Sequence, residues 1–444
     1  MGIKVAKFGG SSVADAIQIG KIKEIIDADK DIKYVIVSAP GKRFAQDSKI
    51  TDLLYSCMMH KEHNLPYDQL FQVICDRFMA VEMNLGVKAG LTAEFEVIKE
   101  AIEKGATEDY LASRGEFLNA KLIAAYMGMD FVDAAGLICF DEKGRFLADE
   151  TNEKLGEELA KHEKALLPGF YGSKPDGSIK TFSRGGSDIT GSLVARAVGA
   201  DVYENWTDVS GFLMADPKIV DNPQPIESLS YRELRELSYM GASVLHEDAI
   251  YPARIANIPI NIRNTNRPED KGTMILAEPE NVEDRVITGI AGSKDFTVVA
   301  MHKNRLIAER GFVRRLAGIL EDMDIALEHL PSSIDSVSVI MSNDSLDGKV
   351  EELVEEFDRQ LKPDSIEVFD NMALIATVGC GMAFKTGVSA KLFTALAKAG
   401  VNIRMIDQGS SEMNIIVGVE NKDFEKAIQA IYNAFVVEGN VPAV

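Results

Sequence analysis

The chain is poor in cysteine, histidine and tryptophan, and it has no long hydrophobic or basic run. Its four cysteines, Cys57, Cys75, Cys139 and Cys380, are far apart, and none lies in a C-x-x-C pair or at metal-ligand spacing from a histidine. The simplest interpretation is reduced, buried thiols in a reducing compartment. Because the sequence has no hydrophobic signal core and no apolar stretch long enough to span a membrane, we expect a cytoplasmic protein without a membrane contact.

Positive charge is also in deficit. The 444 residues include 48 Lys and Arg against 69 Asp and Glu, a net charge of −21. Nucleic-acid binders usually carry basic stripes, so this balance argues against a nucleic-acid partner. A composition of 46% hydrophobic and 26% charged residues is that of a globular protein and excludes a disordered or fibrous chain. The length predicts about three domains.

Up to about residue 285, short β-rich segments alternate with amphipathic segments at helical spacing. Tyr34-Val35-Ile36-Val37 is typical of a strand that a parallel sheet buries on both faces. We therefore predict βαβ units, with a first strand over residues 3–8 and a domain boundary in the acidic segment 277–284. The buried face of the first helix is predicted to contain Ile17, Ile19, Ile22, Ile25 and Ile26.

Beyond the boundary, one plan of strands and helices occurs twice. Ile403 repeats Ile325, and Val417 repeats Val339, each 78 positions later. Self-similarity at a fixed spacing indicates an internal repeat, here of the βαββαβ type. The alternative is two unrelated α+β halves with a chance match. In the first copy we predict strands at residues 296–301, 325–329, 337–341 and 366–369, and in the second at 373–378, 401–406 and 413–419.

Two Gly-Gly-Ser turns each follow a predicted strand and precede a helix. The first is Lys7-Phe8-Gly9-Gly10-Ser11, and the second is Ser183-Arg184-Gly185-Gly186-Ser187-Asp188. Glycine lets the backbone approach a ligand, and the N–H groups at a helix N-terminus favour an anion. The chain lacks the P-loop motif G-x-x-x-x-G-K-[ST], and no G-x-G-x-x-G follows the first strand, so neither fingerprint describes this site. The alternatives are an ordinary turn with a solvated Lys7 and a helix capped by Ser187 or Asp188.

Other polar residues follow predicted strands or open helices. Ser38 comes directly after the second strand, at the carboxyl end where open α/β sheets bind ligands, and Thr51 begins the next helix. Glu116 precedes a helix predicted over residues 117–127. Its carboxylate could gain from the helix dipole alone, or it could pair with a substrate ammonium.

These motifs resemble those of the aspartokinases, in the same order. The similar segments are KFGGSSV at residues 7–13, RGEFLNAKL at 114–122, SRGGSDITGSLVA at 183–195, TDVSGFLMADPK at 207–218 and MGASVLH at 240–246. The segment NIRMIDQGSSEMNIIVGV at 402–419 resembles the second of their two ACT domains. The resemblance implies an α/β chain: a three-layer αβα amino acid kinase domain of the carbamate-kinase type at residues 1–285, then βαββαβ ACT domains at 286–370 and 371–444.

The implied reaction is the ATP-dependent phosphorylation of the β-carboxylate of L-aspartate, with Mg²⁺ accompanying ATP and no metal held by the protein. By position, Lys7 would stabilise the transferring phosphoryl group and Asp188 would organise that lysine. The residues implied to bind aspartate are Ser38, Thr51, Glu116, Arg184, Gly185, Gly186 and Ser187. Those implied to bind ATP are Gly9, Gly10, Ser11, Thr207, Asp208, Leu213, Asp216, Lys218 and Ser243.

Three of these positions depart from the family. The family usually has Lys at 243, Tyr at 213 and Arg at 218, where this chain has Ser243, Leu213 and Lys218. Losing a cation at position 243 removes a phosphate contact. We hypothesise that basic residues in the loop 41–50, namely Lys42, Arg43 and Lys49, supply compensating charge.

Paired ACT domains imply an amino-acid effector and a homodimer or tetramer. Lysine is the preferred effector, because its side-chain ammonium requires an additional carboxylate; threonine, alone or with lysine, is the alternative. The acidic residues could instead be solvated rim charges. The predicted effector site consists of Met301, Glu309, Gly311, Phe312, Val313, Glu328, Ser333 and Asp335.

Two other functions are alternatives to aspartate phosphorylation. One is a related phosphotransferase acting on glutamate, N-acetylglutamate, carbamate or a nucleoside monophosphate; the ACT repeat argues against it. The other is an amino-acid sensor that has lost turnover, and the presence of Lys7, Glu116, Arg184 and Asp188 together argues against it.

Overall fold

The structure is a computed structural model that describes residues 2–183, 185–242, 245, 247–279 and 285–438, without the side chains of 247 and 248. Contacts divide the chain into two compact units. The first unit lies within Met1–Phe212, Pro225–Tyr231 and Val244–Pro279, and the second within Leu213–Gln224, Arg232–Ser243 and Glu280–Val444. Among the described helices, none is long and apolar enough to cross a membrane.

The first unit is built on a sheet with the strand order β3-β4-β2-β1-β7-β9-β10-β8. Its neighbouring strands are parallel except for the antiparallel pair β9 and β10. A separate antiparallel hairpin joins β5 to β6. The strands of the unit are β1 Lys4–Phe8, β2 Ile32–Val37, β3 Asp130–Phe131, β4 Ala165–Pro168, β5 Tyr171–Ser173, β6 Ile179–Thr181, β7 Val202–Thr207, β8 Ser228–Ser230, β9 Ile260–Asn264 and β10 Thr273–Leu276.

Helices cover both faces of this sheet. On one face, Ala6 and Phe8 of β1 share a hydrophobic core with residues of α1 to α5. On the other face, α7 packs on β1, β2 and β7 with α6 and α9 beside it. The helices are α1 Ala16–Ala28, α2 Ile50–Glu62, α3 Asp68–Leu85, α4 Leu91–Glu103, α5 Glu108–Met127, α6 Ala148–Leu159, α7 Gly186–Val198, α8 Tyr231–Tyr239, which continues into the second unit, and α9 Glu247–Ile255.

This arrangement confirms the expected three-layer αβα fold with a mostly parallel sheet. Local sequence signals fix the helix ends. Asp15 caps α1 by accepting a hydrogen bond from the Gln18 N–H at 2.9 Å, and Gly128 ends α5 in the left-handed conformation with φ of 66°. The lone tryptophan, Trp206, is core: it is buried in β7 and stacks on Phe8 with ring centroids 5.9 Å apart.

Several element predictions for this unit were wrong in detail. Ile17 is 74% exposed and lies outside the buried face of α1, because its position falls to the solvent side of the helical period. The helix predicted over 117–127 begins at Glu108, where Thr107 provides the cap. Helices α4, α6 and α9 were not predicted.

The second unit contains an antiparallel sheet in the order β12-β11-β13-β15-β14. Its strands are β11 Gly289–His302, β12 Ser336–Ser342, β13 Ser365–Val378, β14 Met405–Asp407 and β15 Asn414–Glu420. Its helices are α10 Phe312–Asp322, α11 Asn343–Leu346, α12 Val350–Leu361, α13 Val388–Lys398 and α14 Phe424–Tyr432.

The two repeat copies share the long strands β11 and β13. The first half of β11, Gly289–Ser293, pairs with Leu374–Val378, whereas its second half, Phe296–His302, pairs with β12 and with the first half of β13. The strands predicted separately at 366–369 and 373–378 are one strand, so the proposed boundary between residues 370 and 371 falls inside β13. Residues 325–329 do not form a strand; only His329 makes an isolated bridge, to Ile340.

Candidate functional site

Lys7 and Asp188 form an ion pair beside the carboxyl end of β1. Side chains alternate along a strand, so Lys7 points to the face opposite Ala6 and Phe8, where α7 begins. Its Nζ lies 2.5 Å from Asp188 Oδ1, and Lys7 is only 7% exposed. A buried ammonium held by a single carboxylate has N–H donors left over, which can serve a bound anion.

Asn205 and Tyr203 of β7 orient this pair. Asn205 Nδ2 donates to Asp188 Oδ1 at 2.9 Å, and the Tyr203 hydroxyl donates to the Asp188 backbone oxygen at 3.1 Å. Both side chains are buried. Asn205 was not predicted as a site residue; the available signal was the polar pair Glu204-Asn205 between Tyr203 and Trp206 in a central strand.

The first glycine turn packs backbone against backbone. The Gly9 N–H donates to Trp206 O at 3.0 Å, and the Gly41 N–H donates to Gly10 O at 2.8 Å. A Cβ on Gly41 would lie 2.7 Å from the Gly10 carbonyl carbon, which no side chain permits. Gly10 is therefore held against the loop that follows β2, while Ser11 is exposed.

The second glycine turn forms the start of α7. Gly185 adopts the left-handed conformation with φ of 58°, which favours glycine. A Cβ on Gly186 would lie 2.6 Å from the Phe170 ring, and one on Gly169 would lie 2.6 Å from Ser187. Arg184, the predicted grip for the substrate carboxylate, lies outside the described residues.

Glu116 is buried inside α5, against the chain that follows β2. The packing is close, since a Cβ on neighbouring Gly115 would lie 2.8 Å from the Ala39 Cβ. Burial raises the pKa of Glu116 to about 7, and its hydrogen bond with the Ala39 backbone and the charges of Arg114 and Lys7 counteract this only in part. Among the described residues, Glu116 Oε2 has no hydrogen-bond partner. A buried carboxylate of this kind can accept an incoming cation.

The proposed dipole role of Glu116 at a first helical turn was wrong. The helix begins at Glu108, so Glu116 lies more than two turns from its N-terminus, beyond the reach of the terminal dipole. Since the helix dipole does not stabilise this carboxylate, its burial indicates that it either pairs with a ligand cation or holds a proton.

Ser38 and Thr51 flank the same loop. The Ser38 N–H donates to Phe8 O at 3.2 Å, and Asn119 of α5 donates from Nδ2 to Ser38 O at 2.8 Å. Thr51 is half-buried in the first turn of α2. The structure thus ties Ser38 to β1 and to the helix that carries Glu116.

The positions predicted to bind ATP are less fully described. Thr207 donates from Oγ1 to Asp208 Oδ1 at 3.2 Å, at the end of β7. Leu213, Asp216 and Lys218 are exposed and belong to the second unit. Ser243 lies outside the described residues.

Of the hypothesised loop cations, Arg43 is already paired. Its Nε lies 2.8 Å from Asp47 Oδ2, and its Nη2 lies 3.0 Å from Asp47 Oδ1. Lys42 and Lys49 are exposed. The contribution of these cations to ATP binding stays a prediction.

Two residues of the predicted effector site have side chains that belong to a hydrophobic core. Met301 is 1% exposed and Phe312 is 2% exposed, and both pack among residues of β12, α10 and α12. The strand and helix periods turn these side chains inward, so an effector would contact Met301 and Phe312 through their backbone, and their place in the effector site stays a prediction. Gly311 caps α10 in the left-handed conformation, and Val313 is 53% exposed.

The acidic effector residues each have a partner. Glu309 pairs with Lys303 at 2.6 Å and with Arg315, and both cations keep the pKa of this carboxyl below its usual value. Glu328 accepts a hydrogen bond from the hydroxyl of Tyr239 on α8. Asp335 Oδ1 accepts from the Arg305 N–H at 2.7 Å, and Ser333 is exposed and donates from its N–H to Ser336 O.

The first unit thus places a buried ammonium, two glycine turns and a buried carboxylate near the carboxyl ends of central strands of its sheet. Such a set can neutralise phosphate charge and hold a small ammonium compound. Among the described residues, no group of three or more acidic, histidine or cysteine side chains is placed to hold a metal ion.

Family models agree with this geometry. Residues 2–264 match the amino acid kinase family, and residues 375–435 match an ACT domain. The chain is 38% identical to aspartokinase 3 of Bacillus subtilis over 449 aligned positions, which cover 98% of both chains.

Solved structures agree as well. The aspartate kinase of Clostridium acetobutylicum is 53% identical, with a TM-score of 0.92 over 98% of this chain and 100% of that one. Aspartokinase III of E. coli, solved with aspartate and ADP, is 25% identical with a TM-score of 0.75 over 98% of this chain and 99% of that one. The same E. coli enzyme has been solved with lysine and aspartate. With similarity over nearly the whole length and both family models matched, the chain belongs to the amino acid kinase family and, within it, to the aspartokinases.

Proposed function

We propose that this protein is an aspartate kinase that transfers the γ-phosphoryl group of ATP to the β-carboxylate of L-aspartate. The product is 4-phospho-L-aspartate, the first intermediate of lysine, threonine and methionine biosynthesis. The observation that carries the proposal is the buried Lys7–Asp188 pair between two glycine turns, in a chain that belongs to the aspartokinases.

The reaction needs little covalent help from the protein. A β-carboxylate oxygen of aspartate forms a bond to the γ-phosphorus while the bond to the bridging oxygen breaks, and that electron pair leaves with ADP. The nucleophile is already an anion, so no proton has to be removed. Catalysis then consists of in-line positioning and neutralisation of phosphate charge.

The described residues suit these two tasks. Lys7, fixed by Asp188 and Asn205, would place its ammonium on the transferring phosphoryl oxygens. The backbone N–H groups of Gly10, Gly185 and Gly186 would donate to phosphate or carboxylate. The Gly9 N–H already donates to Trp206 O, so Gly9 would contribute only a close approach of its backbone to ATP. MgATP is the proposed substrate form, in which the ion would offset phosphate charge.

Substrate choice would rest on the buried acid of α5. Glu116 would receive the α-ammonium of aspartate, with Arg184 on the α-carboxylate and Ser38, Thr51 and Ser187 around the rest. A carboxylate without a hydrogen-bond partner on Oε2 gains an ion pair when an ammonium enters. An N-acylated substrate has no ammonium and would leave that carboxylate unpaired.

A hydroxamate assay with MgATP tests the activity. We expect turnover with aspartate and none with glutamate or N-acetylglutamate. Lys7→Met should lower kcat by at least about a hundredfold, because one cation at a transferring phosphoryl group contributes on that scale. Turnover on glutamate but not aspartate would instead identify a related phosphotransferase. No turnover together with measurable lysine binding would identify a sensor.

We also propose lysine as the effector and the repeat region as its binding site. The proposal is supported by Glu328 and Asp335, two carboxylates in the segment between α10 and β12, and by the lysine complex of the E. coli relative. Threonine remains the second candidate. Equilibrium binding should show lysine bound far more tightly than leucine, and equal affinities would contradict the proposal.

The assignment of domains and the assembly state are proposals too. Because β11 pairs first with the second repeat copy and then with the first, we propose that ACT domain 1 is inserted into ACT domain 2. A homodimer or tetramer formed through the ACT domains is expected, and sedimentation equilibrium at several concentrations would measure it.

A further inference from the structure

Arg77 is a buried cation whose two terminal nitrogens, Nη1 and Nη2, donate to other segments of the chain, while its Nε has no hydrogen-bond partner among the described residues. It lies on α3 and is 5% exposed. Its Nη1 donates to Ser48 O at 2.8 Å, and its Nη2 donates to Ala14 O at 3.3 Å and to Gly41 O. Burying a guanidinium is costly unless its fork is satisfied, so such a placement indicates a specific task.

The three carbonyls belong to the segments that border the phosphate and aspartate positions. Ala14 directly follows the short 3-10 helix Gly10–Val13, which begins at the first glycine turn. Gly41 lies on Gly10 and comes three residues after Ser38. Ser48 ends the loop just before Thr51.

The Arg77 guanidinium also holds together the two ends of the loop between Gly41 and Ser48. Asp47 Oδ2 lies 3.4 Å from Arg77 Nη1 and accepts both the side chain and the backbone N–H of Arg43. The Ile50 N–H donates to Pro40 O at 3.3 Å across the base of the loop. Arg77 and Asp47 therefore connect the interior of α3 to both ends of the loop.

We propose that Arg77 is a positioning residue for phosphoryl transfer, which holds Gly10, Ser38 and Thr51 in register through the backbone of Ala14, Gly41 and Ser48. The inference rests on the proposed aspartate kinase activity. Arg77 touches neither substrate in this scheme; it acts through the three backbone segments. A displacement of about 1 Å in such a site is enough to cost roughly a hundredfold in rate.

Arg77→Lys is the sharpest variant, because it keeps the charge and loses the planar fork that reaches three carbonyls. We expect kcat/KM for aspartate to fall by roughly ten- to a hundredfold. Limited trypsin digestion should cut faster after Lys42, Arg43 and Lys49, since the loop loses its anchor. Asp47→Asn removes only the carboxylate charge. It should also lower kcat/KM for aspartate and speed trypsin cleavage of the loop, each by a smaller factor than Arg77→Lys does.

Arg145→Lys is the matched control, because Arg145, like Arg77, pairs with an aspartate, Asp141, but its side chain is 76% exposed. It should leave the kinetic constants and the trypsin pattern unchanged. If the Arg77 and Asp47 variants lose thermal stability while the folded enzyme keeps wild-type kcat, KM and loop cleavage, Arg77 is merely structural and the inference is wrong. Should Arg77→Lys fail to fold, Asp47→Asn decides by the same readouts. Absence of turnover in the wild type would refute the proposed function, whereas the trypsin comparison would still report on the anchor.

Discussion

At the scale of the residue, the proposed pairing of Glu116 with the substrate ammonium would make aspartate binding depend on pH. Burial raises its pKa to about 7, so below this pH the carboxyl is neutral and cannot pair with an ammonium. We expect kcat/KM for aspartate to fall about tenfold per pH unit below pH 7 and to level off above it. Glu116→Gln should lower this constant and flatten the profile, whereas Glu108→Gln, at an exposed position of the same helix, should reproduce the wild-type curve.

The same residue should make the protein less stable as the pH rises. An unfolded glutamate titrates near 4.5, so the folded state holds the proton more tightly between pH 4.5 and pH 7. The free energy of unfolding therefore falls by about 3 kcal/mol as the pH rises from 4.5 to 7, and it stays at this lower value above pH 7. Urea unfolding should show Glu116→Gln more stable than the wild type at pH 8, with the difference disappearing at pH 4. A difference that does not change with pH would contradict this assignment.

Residues were predictable from sequence where a motif carries them. Lys7, Asp188 and Glu116 all lie in the sequence motifs. Lys7 and Asp188 are in contact at the end of β1, whereas Glu116 lies inside α5 and not in its first turn, as had been expected. Asn205 and Arg77 were not predicted, because Asp188, the partner of Asn205, is 17 residues away and Gly41, a partner of Arg77, is 36 residues away, and each pair meets only in the folded protein. A hydrogen bond across such a distance leaves no local pattern.

At the scale of the element, α8 is anchored to the second unit by a buried acid. Glu233 is 1% exposed, and it accepts the Cys380 N–H at 3.0 Å and the Thr288 hydroxyl, with Arg285 at 3.9 Å. Glu233→Ala should lower the free energy of unfolding by about 2 to 4 kcal/mol, because these donors lose a charged acceptor inside the protein. Glu355→Ala, at an exposed position of α12, should change it by less than about 0.5 kcal/mol in urea titrations.

The end of α8 provides a second prediction. The Tyr239 hydroxyl donates to Glu328, one of the proposed effector carboxylates. An effector ammonium that uses Glu328 must displace this hydrogen bond, so Tyr239→Phe should tighten lysine binding by about two- to tenfold. Calorimetric titration with lysine measures the change. A weaker affinity would show that Tyr239 contributes to the site instead.

Elements were predictable where periodicity was strong, and the failures have physical reasons. Strand β11 was predicted to begin at residue 296, because Gly289–Ser293 is rich in small residues and lacks β-branched alternation beyond Ile290. Residues 325–329 have the apolar spacing of a strand but make only one isolated bridge to β12, between His329 and Ile340. In both cases the presence or absence of a neighbouring strand determines whether the segment is a strand, and the sequence does not show which strands are neighbours.

At the scale of the whole molecule, the shared strands bind the two repeat copies into one folding unit. A chain truncated after residue 370 loses half of β13 and all of β15, which leaves Gly289–Ser293 without its partner strand. Unpaired strand edges promote aggregation. We expect the truncated protein to lose cooperative unfolding and to aggregate in gel filtration, whereas the full chain remains monodisperse. A soluble truncation with native-like circular dichroism would contradict this view.

The contact between Gly41 and Gly10 has a consequence for how this gene can vary. Every amino acid other than glycine carries a Cβ, and at position 41 that atom would meet the Gly10 backbone at 2.7 Å. No missense change in this codon is then neutral, whatever the chemistry of the new side chain. Mutagenesis libraries aimed at altered regulation or substrate range should keep this codon unchanged and randomise other positions of the loop.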